Sequence, residues 1–116
     1  MGSAALFFKK RFFMADVMIH DFLMGFIRIY MLHYASVEPI FGKEFHDKLL
    51  EKGFDISYGT LYPMFHKFEE KGYLKHEERN VNGKIRKYYS ITREGRKALK
   101  EAKVKARELF EELYDK

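Results

Sequence analysis

The chain has 116 residues and carries 22 Lys/Arg against 17 Asp/Glu, a formal net charge of +5, with no Cys and no Trp. That length suits one domain, able to bury about 65% of its unfolded surface without covalent staples. The missing thiols exclude disulfides, thiolate zinc sites and a cysteine nucleophile, and suit a reducing cytoplasm. A positive balance favours an anionic partner, either nucleic acid or an anionic membrane face.

Residues 1–14 are left as an unassigned N-terminal arm. Leu6-Phe7-Phe8-Lys9-Lys10-Arg11-Phe12-Phe13 is too short in its apolar part for a signal sequence and has no small-residue cleavage site behind it. From Ala15 or Asp16 an apolar helix is expected to about Tyr34. Phe22, Leu23, Phe26, Ile27, Ile29, Tyr30 and Leu32 surround most of its circumference, so a second chain is expected to cover part of it. Its His20, Asp21, Arg28 and His33 argue against a bilayer span. Pro39 breaks the chain by restricting the residue before it.

A second helix is expected from Phe41 or Gly42 to Glu51 or Lys52, with Phe45 and Leu49 facing inward and Gly53 stopping it. Phe54-Asp55-Ile56 forms a turn, and Ser57 caps a third helix that Lys71-Gly72 closes. Leu61, Met64, Phe65 and Phe68 make its core stripe. Pro63 removes a backbone bond to Gly59, which predicts an irregular or 3₁₀ first turn. Tyr73–Glu78 and Ile85–Ile91 then read as a hairpin around a polar loop at Asn80-Val81-Asn82-Gly83. Thr92 caps the last helix, Arg93 to Tyr114. There Leu99, Ala102, Ala106, Leu109 and Leu113 repeat at spacings of 3 and 4 with Phe110 beside them, a seam suited to packing on a partner's N-terminal helix.

A helix running into a basic ribbon is the layout of a winged helix-turn-helix, in which the helix enters a DNA major groove and the ribbon grips phosphate. The fold class is therefore mainly α (α+β). Residues 15–92 form the winged domain and 93–116 a dimerisation helix that works with Phe22 and Phe26.

From Lys75 to Arg93 there are six Lys/Arg against Glu77 and Glu78. Lys84, Arg86 and Lys87 are the phosphate or minor-groove candidates, against the reading of an ordinary solvated hairpin. Asn82 is a candidate DNA donor, although Asn82-Gly83 is equally what a tight turn needs. On the third helix Ser57 and Tyr58 are placed for phosphate, and Thr60, Tyr62, His66 and Lys67 for bases and phosphates. Tyr62 also fits a half-buried aromatic under the wing, and His66 a plain surface histidine. None offers the Arg or Asn/Gln fork that reads G or A strongly, so shape and dimer spacing are expected to carry specificity. The five His are scattered without metal spacing, and neither a nucleophile elbow nor a glycine-rich phosphate loop occurs. No enzyme activity, cofactor or metal is expected.

Tyr58-Gly59-Thr60-Leu61-Tyr62-Pro63, the Phe68–Leu74 block that follows it, and Arg86-Lys87-Tyr88-Tyr89-Ser90-Ile91-Thr92-Arg93-Glu94-Gly95-Arg96 resemble the signature of PadR-type transcriptional regulators. The resemblance covers roughly Leu23 to Leu113. It implies a homodimer on double-stranded operator DNA, a mostly repressive role in the cytoplasm, and in some members a phenolic acid or hydrophobic drug as effector. This chain departs in having Lys43 where an aromatic is frequent, and in lacking the Trp on which drug-responsive members rely. Two other readings stay open: a winged helix used for protein contact, favoured by Glu70, Glu77 and Glu78, and a membrane-surface protein anchored by Leu6–Phe13.

Overall fold

Four helices and one ribbon make up the computed structural model, which describes residues 14–115. Helix α1 spans Met14–Val37, α2 Gly42–Glu51 and α3 Tyr58–Glu70; strands β1 (Leu74–Val81) and β2 (Lys84–Ile91) pair antiparallel, and α4 runs Arg93–Tyr114. Leu6–Phe13, the anchor in the alternative membrane-surface reading, lies outside the described residues, whereas Met14, grouped with the arm, opens α1. No helix among the described residues is long and apolar enough to cross a membrane.

The core is built where apolar spacing on each helix meets the base of the ribbon. Ile27, Met31, Leu32 and Ala35 of α1 pack with Phe45 and Leu49 of α2, Leu61 and Phe65 of α3, and Leu74, Tyr89 and Ile91 of the ribbon. Phe65 joins the layers, its ring 5.8 Å from Phe45 edge-on and 4.6 Å from Tyr89 in a stack. Met64 is buried on the same helix and Phe68 half-buried, as the expected stripe requires.

Local signals set the boundaries. The Ser57 hydroxyl accepts from Thr60 N–H at 3.2 Å and caps α3. At the other end of α3, Gly72 N–H donates to Glu69 O and Tyr73 N–H to Phe68 O, a Schellman closure. Thr92 pins α4 to the ribbon: its N–H donates to Tyr73 O at 2.9 Å, and its hydroxyl donates to Gly72 O at 2.5 Å and accepts from Gly95 N–H at 3.0 Å.

Four expectations need correction. α1 continues past Tyr34 to Val37, because Pro39 restricts only Glu38. α3 is α-helical throughout despite Pro63. The 3₁₀ character is confined to one bond, Thr60 N–H to Ser57 O, shared with the α-type bond from Leu61 N–H to the same carbonyl. The wing's loop is two residues, not four: Asn82 and Gly83 take φ of 53° and 85°, and Asn80 and Val81 stay in β1. Finally, Leu99 is only 7% exposed and sits in the core of its own chain.

Candidate nucleic-acid interface

Strand β2 is paired along its length by β1, but on its other edge only Ile40 pairs among the described residues, by an antiparallel bridge to Tyr89. Tyr89 N–H donates to Ile40 O at 2.8 Å, and Ile40 N–H to Tyr89 O at 2.9 Å. Beyond that rung no other described residue pairs with the outer edge of Lys84–Lys87. An open groove of about 520 Å³ lies there, between the ribbon, the start of α2 and the first turns of α3. Lys43, His46, Lys84, Arg86, Lys87, Tyr58 and Tyr62 line it, and no Asp or Glu does so among the described residues.

The groove wall depends on one close approach. A Cβ built on Gly42 would lie 2.3 Å from the Tyr58 ring, so glycine is what lets that ring lie across the start of α2. Burial holds the Tyr58 phenol above its ordinary pKa, with Tyr62 adding to the rise and Lys87 opposing it. Behind it, burial first, then Glu69, Tyr62 and Tyr58, push the Tyr89 phenol up to about 12.

The cations around this groove are not equivalent. Lys43 is paired with Asp47 at 3.1 Å, and that hydrogen bond is the main reason the Asp47 carboxyl is held below its usual value. Arg79 is paired with Glu77 at 2.8 Å. Lys84, Arg86 and Lys87 have no carboxylate within ion-pair distance among the described residues, although Glu78 is the cross-strand neighbour of Lys87. Aromatic rings hold two of them instead. The Arg86 guanidinium lies 4.6 Å from the centre of the Phe41 ring, and the Lys87 ammonium 5.9 Å from that of Tyr62.

Of the ten residues expected to meet DNA, the structure brings Tyr58, Tyr62, Lys84, Arg86 and Lys87 together around the groove. Tyr58, Tyr62 and His66 follow one another along an exposed face of α3, with ring centres 6.0 and 6.4 Å apart. Thr60 and Lys67 are exposed on the same helix. Ser57 is occupied as the cap, its hydroxyl 3.1 Å from that of Thr60. Asn82 sits at the turn, where Gly83 N–H donates to Asn80 Oδ1 at 2.9 Å. The acids that favoured the protein-contact reading, Glu70, Glu77 and Glu78, do not line the groove.

The model of the transcriptional regulator PadR-like family matches residues 31–101. The chain belongs to that family. The transcriptional regulator Rv3488 of Mycobacterium tuberculosis is 35% identical over 95 residues, which cover 82% of this chain and 89% of that protein. Among solved structures, a PadR family regulator from Eggerthella lenta superposes with a TM-score of 0.77 at 29% identity, covering 85% of this chain and 88% of the other. A PadR-like transcription factor from Bacteroides fragilis gives 0.72 at 26% identity, covering 84% and 96%. The ribbon and α3 are thus the wing and third helix of a PadR-like winged fold.

Outside the wing, this PadR-like chain exposes apolar residues where α1 and α4 meet. Phe22 is 53% exposed and stacks 5.7 Å from half-buried Phe26, which meets Phe110 edge-on at 6.3 Å. Leu109 and Leu113 are exposed and Ala102 and Ala106 half-buried, so the expected seam splits, with Leu99 turned into the core. A groove of about 840 Å³ runs between the two helices.

Sequence reasoning missed Phe41, Gly42, His46 and Ile85 as groove residues. The alternation on β2 gave a signal for Ile85, which lies on the Tyr89 face. The core does not reach the ribbon's tip, however, and Ile85 stays 62% exposed. Nothing local marked Phe41, because its place depends on the Ile40–Tyr89 bridge.

Proposed function

We propose that this PadR-like regulator is a homodimer that binds a pseudo-palindromic operator in double-stranded DNA and acts there as a cytoplasmic repressor. The observation that carries the reading is a groove that, among the described residues, no acid lines and whose rim cations, Lys84, Arg86 and Lys87, have no carboxylate partner, beside an exposed helix face. Unneutralised Lys and Arg next to hydroxyl-bearing rings suit a phosphate backbone, since phosphate contacts position a protein while a helix reads base edges. On this reading Tyr58, Tyr62, Thr60, His66 and Lys67 face the major groove, and Ser57 and Asn82 sit at its margins. Two copies would set their α3 helices about 34 Å apart.

Pairing is supported by the exposed apolar end and by the charge order along α4. Arg93 to Arg107 holds seven Lys/Arg against Glu94 and Glu101, whereas Glu108 to Asp115 holds four acids and no base. Two such helices laid antiparallel set each basic half against an acidic one, the self-complementary arrangement a two-fold interface needs. Repression is the role that the family resemblance implies. The protein-contact alternative loses its main support, because the acids it relied on lie outside the groove.

The test is duplex binding as a function of salt, with random and selected sequences. Six to ten phosphate contacts predict a loss of about 10³- to 10⁵-fold between 50 and 200 mM salt, and selection from random duplexes returns an inverted repeat. No binding to any duplex at low salt overturns the reading.

A further inference from the structure

Arg79, Tyr88, Phe41 and Arg86 form an unbroken pile across the ribbon and the α1–α2 linker. The Arg79 guanidinium sits 4.3 Å from the Tyr88 ring centre, the Tyr88 and Phe41 ring centres are 5.1 Å apart, and the Arg86 guanidinium lies 4.6 Å from the centre of Phe41. The two arginines are cross-strand partners at the same rung, yet they are treated differently. Glu77 pairs with Arg79, whereas Arg86 meets a ring face and, among the described residues, no carboxylate. A ring face restrains a guanidinium without consuming its N–H donors, which lie in the guanidinium plane, whereas a carboxylate takes two of them.

Phe41 itself is held from two directions. The Ile40–Tyr89 bridge fixes the backbone before it to the ribbon, and its N–H donates to the Glu44 carboxylate of α2 at 3.3 Å. Arg86 is half-buried as a result, so its long side chain is already ordered at the groove rim. Binding then forfeits less rotamer entropy than an exposed arginine would lose.

We propose that Phe41 is a positioning residue for DNA binding: its ring, backed by Tyr88, holds Arg86 at the groove rim with its donors free for a phosphate. This rests on the DNA reading above and adds to it a residue that binds through another. It also places the linker leaving α1 in direct mechanical contact with the ribbon's phosphate-facing arginine.

The test is a double-mutant cycle on the full chain with a duplex at low salt. Phe41→Leu, which keeps apolar bulk and removes the ring, is expected to lower affinity about three- to ten-fold. Phe41→Tyr restores it, and in an Arg86→Ala background Phe41→Leu has no further effect. Ring-current shifts of the Arg86 side-chain protons, read by NMR on the unmutated protein and on Phe41→Tyr, report the stack even where Phe41→Leu folds poorly. An equal loss from Phe41→Leu with and without Arg86, unaltered binding by Phe41→Leu, or Arg86 protons at random-coil positions overturns the proposal and leaves the DNA reading standing. A wild-type chain that ignores duplex overturns both.

Discussion

The groove beside the wing is lined mainly by cations and aromatic rings, with no acid among the described residues, whereas at the meeting of α1 and α4 the exposed side chains are Phe22, Leu109, Phe110 and Leu113. Both surfaces are incomplete, in opposite ways. The wing is finished as protein: Tyr89, Phe65 and the Ile40 bridge anchor it in the core, and what it lacks is counter-charge. On the proposed dimer, what the two-helix end lacks is protein, since exposed apolar patches on a small domain suit an interface. On the proposed reading the fold separates a recognising surface from a pairing one, while Leu99 of α4 packs into the core of its own chain.

The largest effect is expected from breaking the apolar end alone. Leu109→Glu with Leu113→Glu puts charge on two exposed positions, so the fold survives and circular dichroism is unchanged. Sedimentation shows a monomer, and loss of two-site binding weakens operator affinity by about 10²-fold or more. A variant that stays dimeric removes this end from the interface.

A smaller effect falls on the wing. Gly42→Ala drives its Cβ into the Tyr58 ring, which is about half exposed and swings away. The melting temperature changes little, by less than about 1 kcal/mol in stability, while duplex affinity falls several-fold. Equal losses in both would mean that Tyr58 braces the fold and not the groove.

The smallest effect is alkaline and concerns the wing's root. Because the Tyr89 phenol is pushed up to about 12 in the fold, its contribution to stability is full below the ordinary tyrosine value near 10. That contribution is lost as pH rises from about 10 through 12, the window in which the folded state holds a proton the unfolded chain has released. Phenolate absorbance is expected to show one late tyrosine, absent in Tyr89→Phe. A Tyr89 that titrates with the rest denies the ribbon its buried anchor.

Much of the frame was legible because short-range chemistry wrote it: Ser57 and Thr92 as caps, Gly53 and Gly72 as stops, and Asn82-Gly83 as the turn. The errors share a cause. The polarity of Asn80 looked like loop, but the turn's φ angles are met by two residues, leaving Asn80 in strand with its amide oxygen bound to Gly83 N–H. Leu99 carried the heptad spacing of Leu109 and Leu113, and spacing alone does not tell an own-chain core from a partner's. In the candidate site the cations were legible and their states were not. That Lys43 is tied to Asp47 follows from i, i+4 spacing, but the Arg86–Phe41 stack needs a linker and a strand 45 residues apart to meet.

The central claim is that two copies, joined at their apolar ends, present their wings to one duplex. Sedimentation equilibrium of the 14.0 kDa chain, alone and with an operator selected from random duplexes, tests it most directly. The account predicts twice that mass for the free protein and two protomers on each duplex at low salt. A single protomer, free or on DNA, would contradict it.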